Sequence, residues 1–236
     1  MVSPVVVALD FPSLAEARSV AQMVKPHVGA FKVGLELLWA EGPDVIPTIV
    51  GLGLPVFVDA KLHDIPNTVN RSARALGMRG ARWVTVHATG GPAMIEAAVA
   101  GIEAGSSEAG ILAVTVLTSI DEATMAAVGL QGPASRRVAS LSTLAASAGA
   151  EGVVCSVAEV SDVKSVVGEL LAVTPGIRGT GSGPDDQARV ATPEAAMTAG
   201  ADLIVIGRPI TRAPDPEAAA AAIAEELAPW RSRPVR

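Results

Sequence analysis

The 236-residue sequence predicts a (β/α)8 barrel of the TIM-barrel class, with residues 1–236 expected to form a single domain. Three observations carry this expectation: eight short β-branched runs, Ala-rich segments of helical spacing between them, and unusual polar residues gathered where the runs end. Length fits, since one such barrel takes about 250 residues, although length alone would also allow two small domains.

The runs cover residues 5–10, 30–34, 55–61, 83–88, 111–117, 152–156, 171–177 and 203–207. Nearly continuous apolar strands alternating with helices indicate a parallel sheet covered on its outer face, and eight strands is the number that closes. An open doubly wound sheet is the architectural alternative. Helical spacing is clearest over residues 14–24, 69–79, 93–103, 135–148 and 216–227. Start and stop signals punctuate these segments: Ser13, Asp64 followed by Pro66, Gly77 and Gly80, and Thr192 with Pro193. The Ala run at 218–222 belongs with the last helix by propensity. The Gly/Ser/Pro-rich stretch at 179–184 falls after the seventh strand, where a mobile active-site loop is expected.

Composition narrows the class. Half the residues are hydrophobic and the mean hydropathy is +0.43, yet charges, Gly or Pro interrupt every apolar run before the roughly 18–20 residues that a spanning helix needs. No basic leader precedes the first apolar run, and a cytoplasmic location is expected. Cys155 is the one cysteine, which rules out an intrachain disulfide and a thiolate metal site and suits a reducing compartment. A net charge of −6, no tyrosine and scattered aromatics disfavour nucleic acid as a partner. Phosphate remains possible, because a local pair of arginines suffices to hold it.

In a barrel, functional groups gather where strands end and βα loops begin. Asp10 ends the first run, Lys32 lies in the second, Asp59 and Lys61 end the third, His87 ends the fourth, Thr118 follows the fifth, and Arg178 and Arg208 follow the last two. Asp59 and Lys61 are two apart, so strand alternation sends both side chains to the same side. With Lys32 and Asp64 near, they can form a satisfied network that tunes proton affinity and makes a lysine a plausible proton donor.

Plainer readings stand beside these. Asp64 can serve as a helix N-cap ahead of Pro66, Asp59 and Lys61 as a structural ion pair, and Lys32 as their partner only. His63 and His87 read as structural histidines and Cys155 as core. Arg178 and Arg208, one beside the Gly-rich stretch and one in Gly207-Arg208-Pro209, favour a phosphate site over ordinary surface.

Taken together, VALDFPS, FKVGLEL, VFVDAKLHDIPNTV, TVLTSID, TPGIRGTGSGPDDQARVATP and VIGRPIT resemble the orotidine 5′-phosphate decarboxylase family, in the family's order and over nearly the whole chain. DAKLHDIPNTV is the specific part, since a lone DxK also occurs in relatives with other chemistry. The resemblance implies cofactor-free and metal-free decarboxylation of orotidine 5′-monophosphate to UMP. Asp59, Lys61 and Asp64 take the catalytic places beside Lys32, and Lys61 is the proton donor. A homodimer is also implied, with Asp64 and Thr68 reaching the neighbouring subunit's site. On the same resemblance Asp10 and Lys32 hold the ribose hydroxyls, Thr118 lies along the pyrimidine, and Gln187 bridges base and phosphate. Gly207 and Arg208 grip the phosphate, and Pro175 and Arg178 match substrate-binding positions. Ala60 and Leu62 depart from the commoner Leu and Phe, at positions expected to face away from the site.

Three other functions compete. A Mg-dependent sugar-phosphate lyase or decarboxylase of the same superfamily shares DxKxxD, but there a metal-binding glutamate stands where this chain has Lys32, which would repel the cation. A Schiff-base aldolase needs a neutral Lys61, which flanking Asp59 and Asp64 oppose. A non-catalytic nucleotide-binding barrel has no supporting feature, because every charged family position is intact.

Overall fold

The structure is a computed structural model that describes residues 3–130, 132–178 and 191–230. Eight parallel strands close in sequence order: β1 (Val5–Ala8), β2 (Ala30–Val33), β3 (Val56–Leu62), β4 (Trp83–His87), β5 (Gly110–Val114), β6 (Gly152–Val154), β7 (Leu171–Thr174) and β8 (Leu203–Ile206), with β8 returning to pair with β1. The closed barrel expected from the eight runs is the observed architecture, and the open doubly wound alternative falls. Apart from β3, which extends one residue past its run to Leu62, the strands end earlier than the apolar runs do. Asp10 lies two residues beyond β1, and Ile177 forms only an isolated bridge to Ala191.

Helices among the described residues are α1 (Leu14–Val24), α2 (Leu35–Glu41), α3 (Val45–Val50), α4 (Pro66–Gly77), α5 (Pro92–Gly105), α6 (Glu122–Ala127), α7 (Ala134–Ser147), α8 (Val157–Val166), α9 (Pro193–Ala199), α10 (Arg208–Thr211) and α11 (Pro216–Glu226). Caps match the sequence at Ser13, whose hydroxyl accepts from the Glu16 N–H, and at Thr192, which accepts from Ala195. Asp64 does not cap α4. Ile65 occupies the N-cap position without a side-chain bond, Pro66 starts the helix, and among the described residues Asp64 Oδ1 accepts only from the adjacent Ile65 N–H at 2.6 Å. That cap reading is therefore corrected.

Most strand residues are buried on both faces, with half-buried positions at Asp59–Leu62 of β3 and at a few strand ends, which is why the strands read as nearly continuous apolar runs. One face packs on the helices: Val7, Phe31, Val58 and Val84 belong to this outer core. The other fills the barrel: Val6, Ala30, Phe57, Trp83, Leu112 and Leu203. Continuing along the inward positions toward the strands' C-terminal ends, Ala30 gives way to Lys32, Phe57 to Asp59, and Trp83 to Thr85. The packed interior thus becomes a polar floor.

One irregularity lies in that floor. Val58 pairs with Val84 and the next matched pair is Leu62 with Val86, so four steps along β3 run against two along β4. Asp59, Ala60 and Lys61 fall in this bulge. Lys61 has φ +47°, the one positive φ at a non-glycine among the described residues. Bulges re-aim side chains near active sites. Simple alternation therefore gives the right side for Asp59 and Lys61 but does not describe the backbone that puts them there.

Candidate active site

At the C-terminal end of the barrel lies a cavity of about 320 Å3, within the size range of small-ligand sites. Asp10, Lys32, Asp59 and Lys61 line one side of it. Thr118, Pro175 and Arg178 line it from the connections after β5 and β7, and Gly207 with Arg208 from the end of β8. Together they come from six of the eight strand ends, as barrel sites are built. Phe57, Val116 and Val205 supply an apolar wall.

The charges form an alternating chain. Lys32 Nζ lies 3.1 Å from Asp10 Oδ1 and 3.4 Å from Asp59 Oδ2, and Lys61 Nζ lies 2.7 Å from that same Asp59 oxygen. Burial of Asp59 opposes its ionisation, but the ammonium groups of Lys32 and Lys61, with hydrogen bonds from Lys61 and Thr85, outweigh it and hold the carboxyl below the usual range. For Lys32 burial works against the charge, while Asp59 and then Asp10 outweigh burial and raise its pKa above the ordinary value. Asp59 is thus a carboxylate and Lys32 an ammonium at neutral pH. An anion fixed between two cations at a cavity floor can repel a second carboxylate and align a proton donor.

His63 and His87 have ring centroids 5.5 Å apart. Burial, then His63 and Lys61, push His87 down despite Asp59, so its neutral form is favoured. This fits the reading of His87 as structural. Cys155 is fully buried in the outer core, as expected.

Asp64 and Thr68 do not line the cavity. Residues 63–68 are exposed, and among the described residues no ion pair joins Asp64 to the Asp10–Lys32–Asp59–Lys61 chain. The single-chain network that included Asp64 is corrected to one without it, because the bulged end of β3 and Pro66 carry the segment out to the surface. Gln187 and the stretch at 179–184 lie outside the described residues.

Sequence reasoning misses two neighbours. Thr85 is fully buried on β4; its hydroxyl donates to Asp59 Oδ1 at 2.9 Å and accepts the Lys61 N–H at 2.9 Å. Gly34, the N-cap of α2, packs so near Asp10 and Lys32 that a Cβ would come within 2.7 Å and 2.8 Å of their charged atoms. A polar residue inside an otherwise apolar barrel strand was the available signal for Thr85. Gly34 offered only its place beside Lys32.

Comparison with known proteins agrees with this geometry. The family model described as "Orotidine 5'-phosphate decarboxylase / HUMPS family" matches residues 3–223. The orotidine 5′-phosphate decarboxylase of Anaeromyxobacter sp. (strain K) is 54% identical over 221 residues, 93% of this chain and 96% of that protein. The orotidine 5′-phosphate decarboxylase of Thermobifida fusca is 52% identical over 229 residues, 96% of this chain and 97% of that protein. Among solved structures, orotidine 5′-phosphate decarboxylase from Lactobacillus acidophilus superposes with a TM-score of 0.85 at 40% identity, covering 96% of this chain and 99% of that one. With a match over most of its length and a charged barrel mouth of the expected kind, the chain belongs to the orotidine 5′-phosphate decarboxylase / HUMPS family.

Proposed function

We propose that this protein is a carboxy-lyase of pyrimidine nucleotide biosynthesis that converts orotidine 5′-monophosphate to UMP and CO2 without a cofactor. The observation that carries the reading is the unbroken chain Asp10–Lys32–Asp59–Lys61 at the cavity floor. Loss of CO2 from orotate leaves a carbanion at carbon 6 with no electron sink, so fixed charge must do the work. Asp59 faces the departing carboxylate and disfavours it, while Lys61 stabilises the developing negative charge and then delivers its proton to carbon 6. Asp10 and Lys32 take the ribose hydroxyls and Thr118 runs along the pyrimidine, with Pro175 beside it. Gly207, Arg208 and Arg178 hold the phosphate, and Gln187 spans phosphate and base. Contacts to a phosphate remote from carbon 6 supply binding energy that orders the site, and their loss lowers turnover as well as affinity.

Asp64 and Thr68 enter this scheme from a second copy in a homodimer. Support comes from the exposure of residues 63–68 and of Leu35, Trp39 and Ile65, which follow β2 and β3 at the same barrel end. Residues 1–236 form one decarboxylase domain in each subunit. A cytoplasmic setting suits the single buried cysteine, and among the described residues no helix is long and apolar enough to cross a membrane.

The family name covers more than one chemistry, and Lys32 separates them. Asp10 and Asp59 are each within 3.4 Å of its ammonium, so the carboxylates that a Mg2+ would require are already neutralised by a fixed cation. The relatives at 52–54% identity are named as the decarboxylase. An ultraviolet assay for loss of orotidine 5′-monophosphate in the presence of EDTA tests the reading. Full activity with chelator is expected. Activity that appears only with added Mg2+, or none toward this nucleotide, would overturn it.

A further inference from the structure

The charged chain has a scaffold that its own residues do not explain. Thr85 stands between Val84 and Val86, the two β4 residues that bracket the bulge in β3. Opposite a bulge the backbone ladder is interrupted, and the extra residues lose their regular partners. The Lys61 N–H is one such group, and the Thr85 hydroxyl oxygen accepts it at 2.9 Å. A hydroxyl has one proton to give, and Thr85 gives it to Asp59 Oδ1 at 2.9 Å. The direction is fixed because Asp59 is ionised and can only accept. Asp59 Oδ2 is left for the two ammonium groups, at 2.7 Å and 3.4 Å.

Packing alone does not call for this hydroxyl. On β5 its strand partner is the apolar Leu112, and valine has the same β-branched shape and an equal preference for strands. Lys61, in contrast, holds a backbone conformation that bulky L-residues rarely adopt, and such conformations persist only where surrounding contacts over-determine them. A single atom on β4 thus fixes the Lys61 backbone and one oxygen of the Asp59 carboxylate together.

We propose that Thr85 is the positioning residue of this site: its hydroxyl holds the left-handed turn at Lys61 and the Asp59 carboxylate in one arrangement, setting the line along which Lys61 delivers its proton. The inference rests on the decarboxylase reading and adds to it a residue that touches neither substrate nor product. Thr85 acts on kcat through geometry, since a displacement of the donor by an ångström suffices to slow a positioned transfer severely.

The test compares Thr85→Val, which keeps the shape and removes both hydrogen bonds, with Thr85→Ser, which keeps the hydroxyl and removes the methyl. For each, kcat on orotidine 5′-monophosphate, the inhibition constant of UMP and the melting temperature are measured. Losing hydrogen bonds to a charged group and to a buried N–H should lower kcat at least about tenfold in Thr85→Val. UMP affinity should stay within roughly threefold, and Thr85→Ser should recover kcat to within roughly threefold of wild type. Should Thr85→Val not fold, Thr85→Ala removes the same hydroxyl without adding a methyl in its place, and the same loss is expected. Unchanged kcat without the hydroxyl overturns the inference, as does a serine variant no better than valine, or a fall in UMP affinity as large as the fall in kcat. A wild-type chain inactive on this nucleotide instead overturns the decarboxylase reading and this inference with it, so the two failures are distinguishable.

Discussion

At Gly34 a missing side chain matters as much as the charges around it. Its φ of −94° is open to any residue, so the requirement is for space: a Cβ would meet Asp10 Oδ1 at 2.7 Å and Lys32 Nζ at 2.8 Å. Both atoms end flexible side chains and can swing away, so Gly34→Ala should leave the fold intact and break the 3.1 Å contact between Asp10 and Lys32. On the decarboxylase reading these two hold the ribose, and KM should rise by roughly tenfold, about 1.4 kcal/mol, with little change in melting temperature. Steady-state kinetics beside a thermal melt checks this, and an unchanged KM would mean that the Asp10–Lys32 contact does not bear on nucleotide binding. The two ends of this logic differ in how far the sequence discloses them. Asp10, Lys32, Asp59 and Lys61 stand out because charge is rare at the end of a buried strand. Thr85 gives a weaker signal, since threonine is ordinary in a strand even between apolar neighbours, and Gly34 gives almost none, since glycine is ordinary before a helix. Their importance lies in what the neighbouring strands place beside them, and for Thr85 the bulge that sets that register leaves no mark in the spacing of residues.

Between elements, α4 packs closely on α5, the helices that follow β3 and β4. A Cβ on Gly101 would overlap the Asn70 carbonyl oxygen, and one on Gly105 would lie 2.5 Å from the Arg74 carbonyl oxygen. Asn70 Nδ2 donates across the same seam to the Ala97 carbonyl at 2.8 Å. Here the obstructing atoms are backbone and cannot rotate away, the opposite of the case at Gly34. Gly101→Ala should therefore separate the helices and destabilise the protein by about 1–3 kcal/mol, a fall of roughly 2–10 °C in Tm for a chain of this size, despite alanine's better helix propensity. Calorimetry decides the matter; an unchanged or raised Tm would show that the seam has slack. The helices themselves are largely legible: α1 begins and ends as its apolar spacing predicts, and α7 is offset by a single residue. Strand ends are less so, since the apolar run at 171–177 continues past the last residue of β7, Thr174, into the connection. The short helices α2, α3, α6 and α10 have too few turns to produce a periodic signal. At Asp64 the capping pattern misleads because the proline that marks the helix start also makes Ile65 the cap position.

For the whole molecule, the open question in the sequence is where Asp64 works. Its motif places it with Asp59 and Lys61, yet it is exposed, bonded only to the neighbouring Ile65 N–H among the described residues, and absent from the cavity lining. No spacing rule could have revealed this, because Asp64 lies three positions after Lys61 whichever subunit it serves. The shared site proposed above would resolve the contrast, and it has an arithmetic consequence in a two-fold dimer. Asp64→Asn and Lys61→Ala are each expected to be inactive alone. Mixed, unfolded and refolded together in equal amounts, they should give half heterodimers, each combining the intact Lys61 of one subunit with the intact Asp64 of the other in a single site. Its second site carries both defects. Recovery should therefore approach about a quarter of the wild-type activity. If Asp64 serves its own chain, every site in the mixture carries one defect and activity stays at the level of the separate variants. Mixed dimers verified by mass, with no recovery, would rule out the shared arrangement, and Asp64 would then have to reach the cavity by movement of residues 63–68 within one subunit.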